Sequence, residues 1–121
     1  MNVKGLAWMG IRSANFEQTV TFFRDAMGLE VSRELDGLVE LRFSEMGEME
    51  IFSPDNDDHD FFTLAPVVGF LVDDVSDARA EMEAAGVEFI GSMQSSGRST
   101  WHHFRGPDGN IYELISHAPA D

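Results

Sequence analysis

Cysteine is absent from this 121-residue chain. That absence excludes disulfides, thiolate metal sites and thiol nucleophiles together. Basic residues are few: 8 Lys and Arg stand against 22 Asp and Glu, a formal charge of -14, which repels phosphate backbones and anionic membrane surfaces. Neither nucleic acid nor a membrane is an expected partner. No run approaches the roughly 20 apolar residues needed to cross a bilayer, and no charged segment followed by an apolar signal core opens the chain, so a cytoplasmic location is expected. What is present is 43% hydrophobic residues, enough for the core of one domain or of two half-domains.

The most informative positive feature is an internal repeat. Asn15 and Asp74 are helix-capping residues 59 apart (74 − 15), and Gly28 and Gly86 are helix-ending glycines 58 apart (86 − 28). In the first copy Asn15 caps, with Gln18 as the return half of a capping box, and Phe16, Val20, Phe23 and Met27 form the apolar stripe. In the second, Asp74 caps, Val75, Ala78, Met82 and Ala85 form the stripe, and Gly86 releases the chain. The strand runs after the helices correspond as well, ending on Glu50-Ile51-Phe52 and Glu113-Leu114-Ile115.

This pattern predicts strands over 5–11, 29–35, 38–43 and 48–52 around a helix over 16–27, forming a first module of residues 1–53. A second module, 65–118, repeats the order with strands over 67–72, 87–92, 101–104 and 111–116 and a helix over 75–85. The intervening linker, 54–64, carries Asp55, Asp57, Asp58 and Asp60 and reads as a solvated acidic run, because its spacing does not fit a calcium-binding EF-hand loop. Pro107-Asp108-Gly109 is turn chemistry that closes the last hairpin.

Phe104-Arg105-Gly106-Pro107-Asp108-Gly109-Asn110-Ile111-Tyr112-Glu113-Leu114, with Asn15-Phe16-Glu17, Met27-Gly28-Leu29, Val72-Asp73-Asp74-Val75 and Ala85-Gly86-Val87, resembles the vicinal oxygen chelate superfamily. That group includes glyoxalase I, bleomycin-resistance proteins and extradiol dioxygenases. The resemblance implies an α+β fold in which two tandem βαβββ modules form curled mixed sheets around a cup-shaped cavity. It also implies a two-fold homodimer and one divalent metal held by four side chains, two from the first strands and two from the last strands of the modules.

Carried onto this chain, those four positions are Trp8, Glu50, Val67 and Glu113. Indole offers only an N–H donor and valine no heteroatom, so two of the four expected ligands are missing and the expectation is no resident metal. Without a metal, Glu50 and Glu113 are candidates for proton transfer or for ligand hydrogen bonding, since burial raises a carboxyl pKa. His103 joins them, because alternation along a strand places one of His102 and His103 towards the cup. The bland readings are a salt bridge from Glu50 to an arginine, a polar lining role for His103, and surface positions for His59 and His117. Trp8, Phe52, Val67 and Trp101, with Met46, are read as the lining of a site for a flat, partly apolar molecule. Trp8 is equally readable as an indole that fills a metal's place, with Gly10 leaving open space beside it.

The function this supports is a small-molecule binding protein without the family's metal. The alternative is a metal-dependent lyase, isomerase or dioxygenase.

Overall fold

The computed structural model describes every residue except Met46, Leu64, Ala65, Asp108, Gly109, Ala120 and Asp121. The chain is α+β and divides into two compact units, Trp8–Val67 and Met1–Ala7 with Val68–Asp121. The expected βαβββ order appears in each half.

In the first half, β1 (Gly5–Arg12) leads to α1 (Phe16–Thr21), which continues as a wider turn over Phe22–Ala26, then to β2 (Glu30–Leu35), β3 (Leu38–Ser44) and β4 (Gly47–Phe52). The sheet order is β2-β3-β4-β1. Strand β1 runs parallel to β4, with Gly10 opposite Glu50, and β3 runs antiparallel to β4, with Glu40 opposite Glu50. Alternation therefore sorts the side chains into two faces. Val39, Leu41, Met49 and Ile51 pack with Val20 of α1 to form the core, helped by Met9, Ile11, Phe16 and Phe23. Trp8, Glu50 and Phe52 fall on the opposite face.

The first helix departs from expectation at both ends. Asn15 makes no side-chain cap hydrogen bond, and the expected capping box with Gln18 is absent. Instead the Asn15 backbone N–H donates to Ser13 Oγ, and the Thr19 hydroxyl donates to the Asn15 carbonyl. At the far end Met27 is 56% exposed. The wider turn advances each residue through a smaller angle than an α-helix does, so Met27 rotates off the apolar stripe. Gly28 then ends the helix with φ of +74°, as expected.

In the second half, β5 (Val67–Leu71), α2 (Val75–Ala84), β6 (Glu88–Ser96), β7 (Ser99–Arg105) and β8 (Ile111–His117) follow in order, with sheet order β5-β8-β7-β6. Here the cap forms as predicted: the Asp77 N–H donates to Asp74 Oδ1 at 2.9 Å, and Gly86 takes φ of +92°. Val72, Val75, Ala78, Phe104 and Leu114 make the core. Strands β7 and β8 pair antiparallel from Arg105 opposite Ile111 to Ser99 opposite His117. The closing hairpin is therefore present, although Asp108 and Gly109 of its turn lie outside the described residues.

The segment between the halves keeps Asp55, Asp57, Asp58 and Asp60 exposed, as an acidic solvated run should be. It also contains a short 3-10 turn, Asp57–His59. Its aromatic end is not solvated, and this bears on the site.

Candidate functional site

The first candidate cluster is built on β1 and β4. Trp8 Nε1 donates to Glu50 Oε1 at 2.9 Å, and the indole is only 7% exposed. Gly10 lies two residues on and on the same strand face, and a Cβ there would overlap the far ring of the Trp8 indole. The space expected to stay open beside Gly10 is thus taken by Trp8 itself. The Glu50 carboxylate accepts a hydrogen bond from this indole.

Over the indole lies an aromatic cluster that pattern reading missed. Phe62 packs against Trp8 with ring centroids 6.1 Å apart and is itself buried. His59 stacks on Phe52 at 4.0 Å, and Phe62 meets both Phe52 and His59. His59 is therefore half-buried against aromatic rings, not the surface residue its acidic neighbours suggested. The segment is tied down by Arg12, whose Nη2 donates to the Pro54 carbonyl at 2.6 Å and Nη1 to the Asp60 carbonyl at 3.3 Å. The available signal was Phe61-Phe62 at the end of an otherwise acidic stretch, since two adjacent phenylalanines seldom stay in water. Glu48 lies on the same face, and its carboxyl is raised by burial and then by neighbouring Glu40. Met46, expected near this lining, lies outside the described residues.

The second cluster is built on β7 and β8. His103 and Glu113 are directly opposite in the antiparallel pairing, so both side chains rise from one face. His103 Nε2 stands 3.1 Å from Glu113 Oε1, and both residues are buried, at 7% and 3% exposed. Trp101, half-buried, and Ile115 occupy the next opposed pair on that face. On the other side of Glu113, β5 presents Gly69. His102 points the other way, with its Nε2–H donating to the Gly91 carbonyl at 3.0 Å and its ring against Phe89. It is a packing histidine, and His117 is exposed.

A 3.1 Å separation is short enough for an ion pair, but burial opposes both charges. It pushes the Glu113 carboxyl up to about 8 and holds His103 down at about 4. Burial dominates because a charge taken out of water loses several kcal/mol of hydration, which one imperfectly aligned partner does not restore. Between those values the pair holds one proton on the carboxyl and stays neutral. A group that carries a proton at neutral pH beside a neutral imidazole is chemically suited to donate or accept hydrogen bonds and to move protons.

Of the four inferred metal positions, Trp8, Glu50 and Val67 fall in one compact unit and Glu113 in the other. Val67 is buried at the start of β5. Trp8 and Val67 supply no lone pair, and one oxygen of Glu50 is engaged by the indole. Among the described residues no group of three or more His, Cys, Asp or Glu is placed to hold a metal ion. The residues present do not fit the family's ion.

Paired βαβββ units, each with a glutamate at the same place in its last strand, define a protein of the glyoxalase type. The chain belongs to the Glyoxalase/Bleomycin resistance protein/Dioxygenase superfamily, whose family model matches residues 5–114. No curated protein matches it in sequence. Among solved structures it is similar to Streptomyces coelicolor methylmalonyl-CoA epimerase in complex with 2-nitronate-propionyl-CoA, with a TM-score of 0.76, 19% identity and 99% of each chain covered. The Mycobacterium tuberculosis methylmalonyl-CoA epimerase gives a TM-score of 0.72 and 18% identity over 97% of this chain and 90% of that one. A glyoxalase/bleomycin resistance protein/dioxygenase superfamily member from Vibrio splendidus gives 0.64 and 16%, over 89% and 95%. At these identities the likeness is one of fold.

Proposed function

We propose that this protein binds a small, flat, partly apolar organic molecule without a resident metal ion. The observation that carries the reading is the Trp8 Nε1 to Glu50 Oε1 hydrogen bond, which gives one inferred ligand position to an indole and uses it to hold another. His103, Glu113 and Trp101 then supply polar and aromatic contacts for the ligand. Metal analysis of protein purified without chelator or nickel resin tests the metal-free half: stoichiometric metal surviving dialysis would sink it. Quenching of Trp101 emission, read in a Trp8→Phe background, by a panel of aromatic compounds tests the binding half.

A second reading, an isomerase-type enzyme, is supported by the buried His103 and Glu113 pair, which carries a proton at neutral pH. Turnover of methylmalonyl-CoA, the ligand class of the similar structures, tests one such activity with and without added divalent metal. Activity lost in both Glu113→Gln and His103→Gln favours this reading over simple binding. We further expect a cytoplasmic two-fold homodimer, checked by light scattering and by fractionation.

A further inference from the structure

The polar centre of β7 and β8 has a vacancy in its hydrogen bonding that points to one class of ligand. Glu113 Oε1 faces His103, while Glu113 Oε2 is buried and has no hydrogen-bond partner among the described residues. A buried carboxyl oxygen left without a donor loses its hydration and gains nothing in return. Oε2 has only lone pairs to offer when the proton lies towards His103, so what completes it is a donor.

Among the described residues of this half, the neighbouring elements supply no such donor. On β7, His103 is opposite and already faces Oε1, and Arg105, two residues on, is exposed. On β6, Ile90 is opposite His103 and exposed Glu88 is opposite Arg105. On β5, Gly69 stands beside Glu113, so no side chain rises from that strand at this register. On β8 itself, Ile111 and Ile115 share the face with Glu113. Helix α2 packs Val75 and Ala78 into the core with Leu114, on the opposite face. Trp101, opposite Ile115, adds a half-buried aromatic surface next to the carboxyl, and such a ring attracts cations as well as flat rings. The net charge of -14 concentrates cations around the molecule.

We propose that the ligand is an aromatic organic amine whose ammonium group donates to Glu113 Oε2 while its ring lies against Trp101. This rests on the small-molecule reading above and names its ligand class. Binding the cation requires the carboxylate, so the Glu113 proton leaves to solvent: ammonium plus carboxylic acid become an ammonium–carboxylate pair and one released proton.

Calorimetry with phenethylamine, in two buffers of different ionisation enthalpy, reads both affinity and proton count. The amine stays protonated across this range, as a lysine side chain does, at about 10.4. The carboxyl titrates at about 8, so affinity should rise about tenfold per pH unit up to pH 8 and then level, with about one proton released per ligand at pH 6.5. Phenethyl alcohol, an uncharged near-isostere, should bind more weakly, with no proton release and no rise with pH. Glu113→Gln, close in shape, should abolish both the pH slope and the proton release, its folding checked by its thermal melt. Binding of the amine with no proton released, or with affinity unchanged in Glu113→Gln, overturns the inference. Preferential binding of the alcohol overturns it too but leaves the small-molecule reading standing. Failure of both probes overturns the amine class, and the wider aromatic panel then decides the broader reading by itself.

Discussion

Glu113→Gln carries the sharpest consequence for stability, because it removes one half of a buried titrating pair while keeping its shape. The carboxyl is pushed up to about 8 by burial, so above the ordinary carboxylate range the unfolded chain has released a proton that the folded chain keeps. Stability from this group therefore falls as pH rises, until the folded carboxyl also ionises. His103 acts in the opposite sense. Held at about 4, it stays neutral while the unfolded imidazole, at about 6.5, takes up a proton, so stability falls as pH drops below 6.5. Between about pH 4.5 and 6.5 the two slopes cancel. From 6.5 to 8 only the carboxyl contributes, and the loss is about 1.5 units at 1.36 kcal/mol per unit, or about 2 kcal/mol. Urea melts at half-unit pH intervals would show this decline in the parent protein. Glu113→Gln should be flat from 6.5 to 8, and it should lose about 1.4 kcal/mol per unit below 6.5, where His103 is no longer counterbalanced. Ring-nitrogen chemical shifts of His103 at pH 6 should report a neutral imidazole. A parent protein whose stability is level between pH 6.5 and 8, or a variant that declines as steeply as the parent, refutes the reasoning.

Gly10→Ala drives a Cβ into the Trp8 ring and should cost about 1–3 kcal/mol; an unchanged melting temperature would contradict the indole's position. Trp8→Phe takes the donor from Glu50 and should cost about 1–3 kcal/mol, measured by urea melts against the parent. Arg12→Ala frees the carbonyls of Pro54 and Asp60 and should raise acrylamide quenching of Trp8 in a Trp101→Phe background, with quenching left at the parent level counting against a tether. Asp74→Ala should cost about 1 kcal/mol, whereas Asn15→Ala should be near neutral because its side chain caps nothing; equal losses would show that the two helix starts are alike after all.

Much of the fold was legible because the elements rest on local chemistry. Asp74 and Gly86 bracket a helix whose cap and exit need only neighbouring residues, and both behave as their types dictate. Alternation alone selects His103 over His102 as the inward histidine, but its place directly opposite Glu113 depends on the register of the closing hairpin, which spacing did not give. Asn15 shows the limit: Ser13 Oγ accepts from the Asn15 N–H that Gln18 was expected to satisfy, and the Thr19 hydroxyl donates to the Asn15 carbonyl, so the capping box does not form. The aromatic cover on Trp8 was not legible, since His59, Phe61 and Phe62 sit in a segment whose average character is acidic. Their burial depends on a partner, Phe52, reached only after the chain turns back. Gly10 was recognised as space, but whether space is filled depends on the rotamer of Trp8, which no spacing encodes.

The wider turn over Phe22–Ala26 explains the single-residue discrepancy between the two halves. From Asn15 to Gly28 is 13 steps (28 − 15), and from Asp74 to Gly86 is 12 (86 − 74). The first helix therefore has one residue more to fit between the same two landmarks, and a Met27 N–H bonded to the Phe22 carbonyl, five residues back, is how a helix accommodates an inserted residue without changing where it ends. One half thus holds one residue more than the other between matching landmarks, and takes it up in this turn. Removing a residue from this turn should return it to ordinary α-helix and bring the lengths of the two copies back into step.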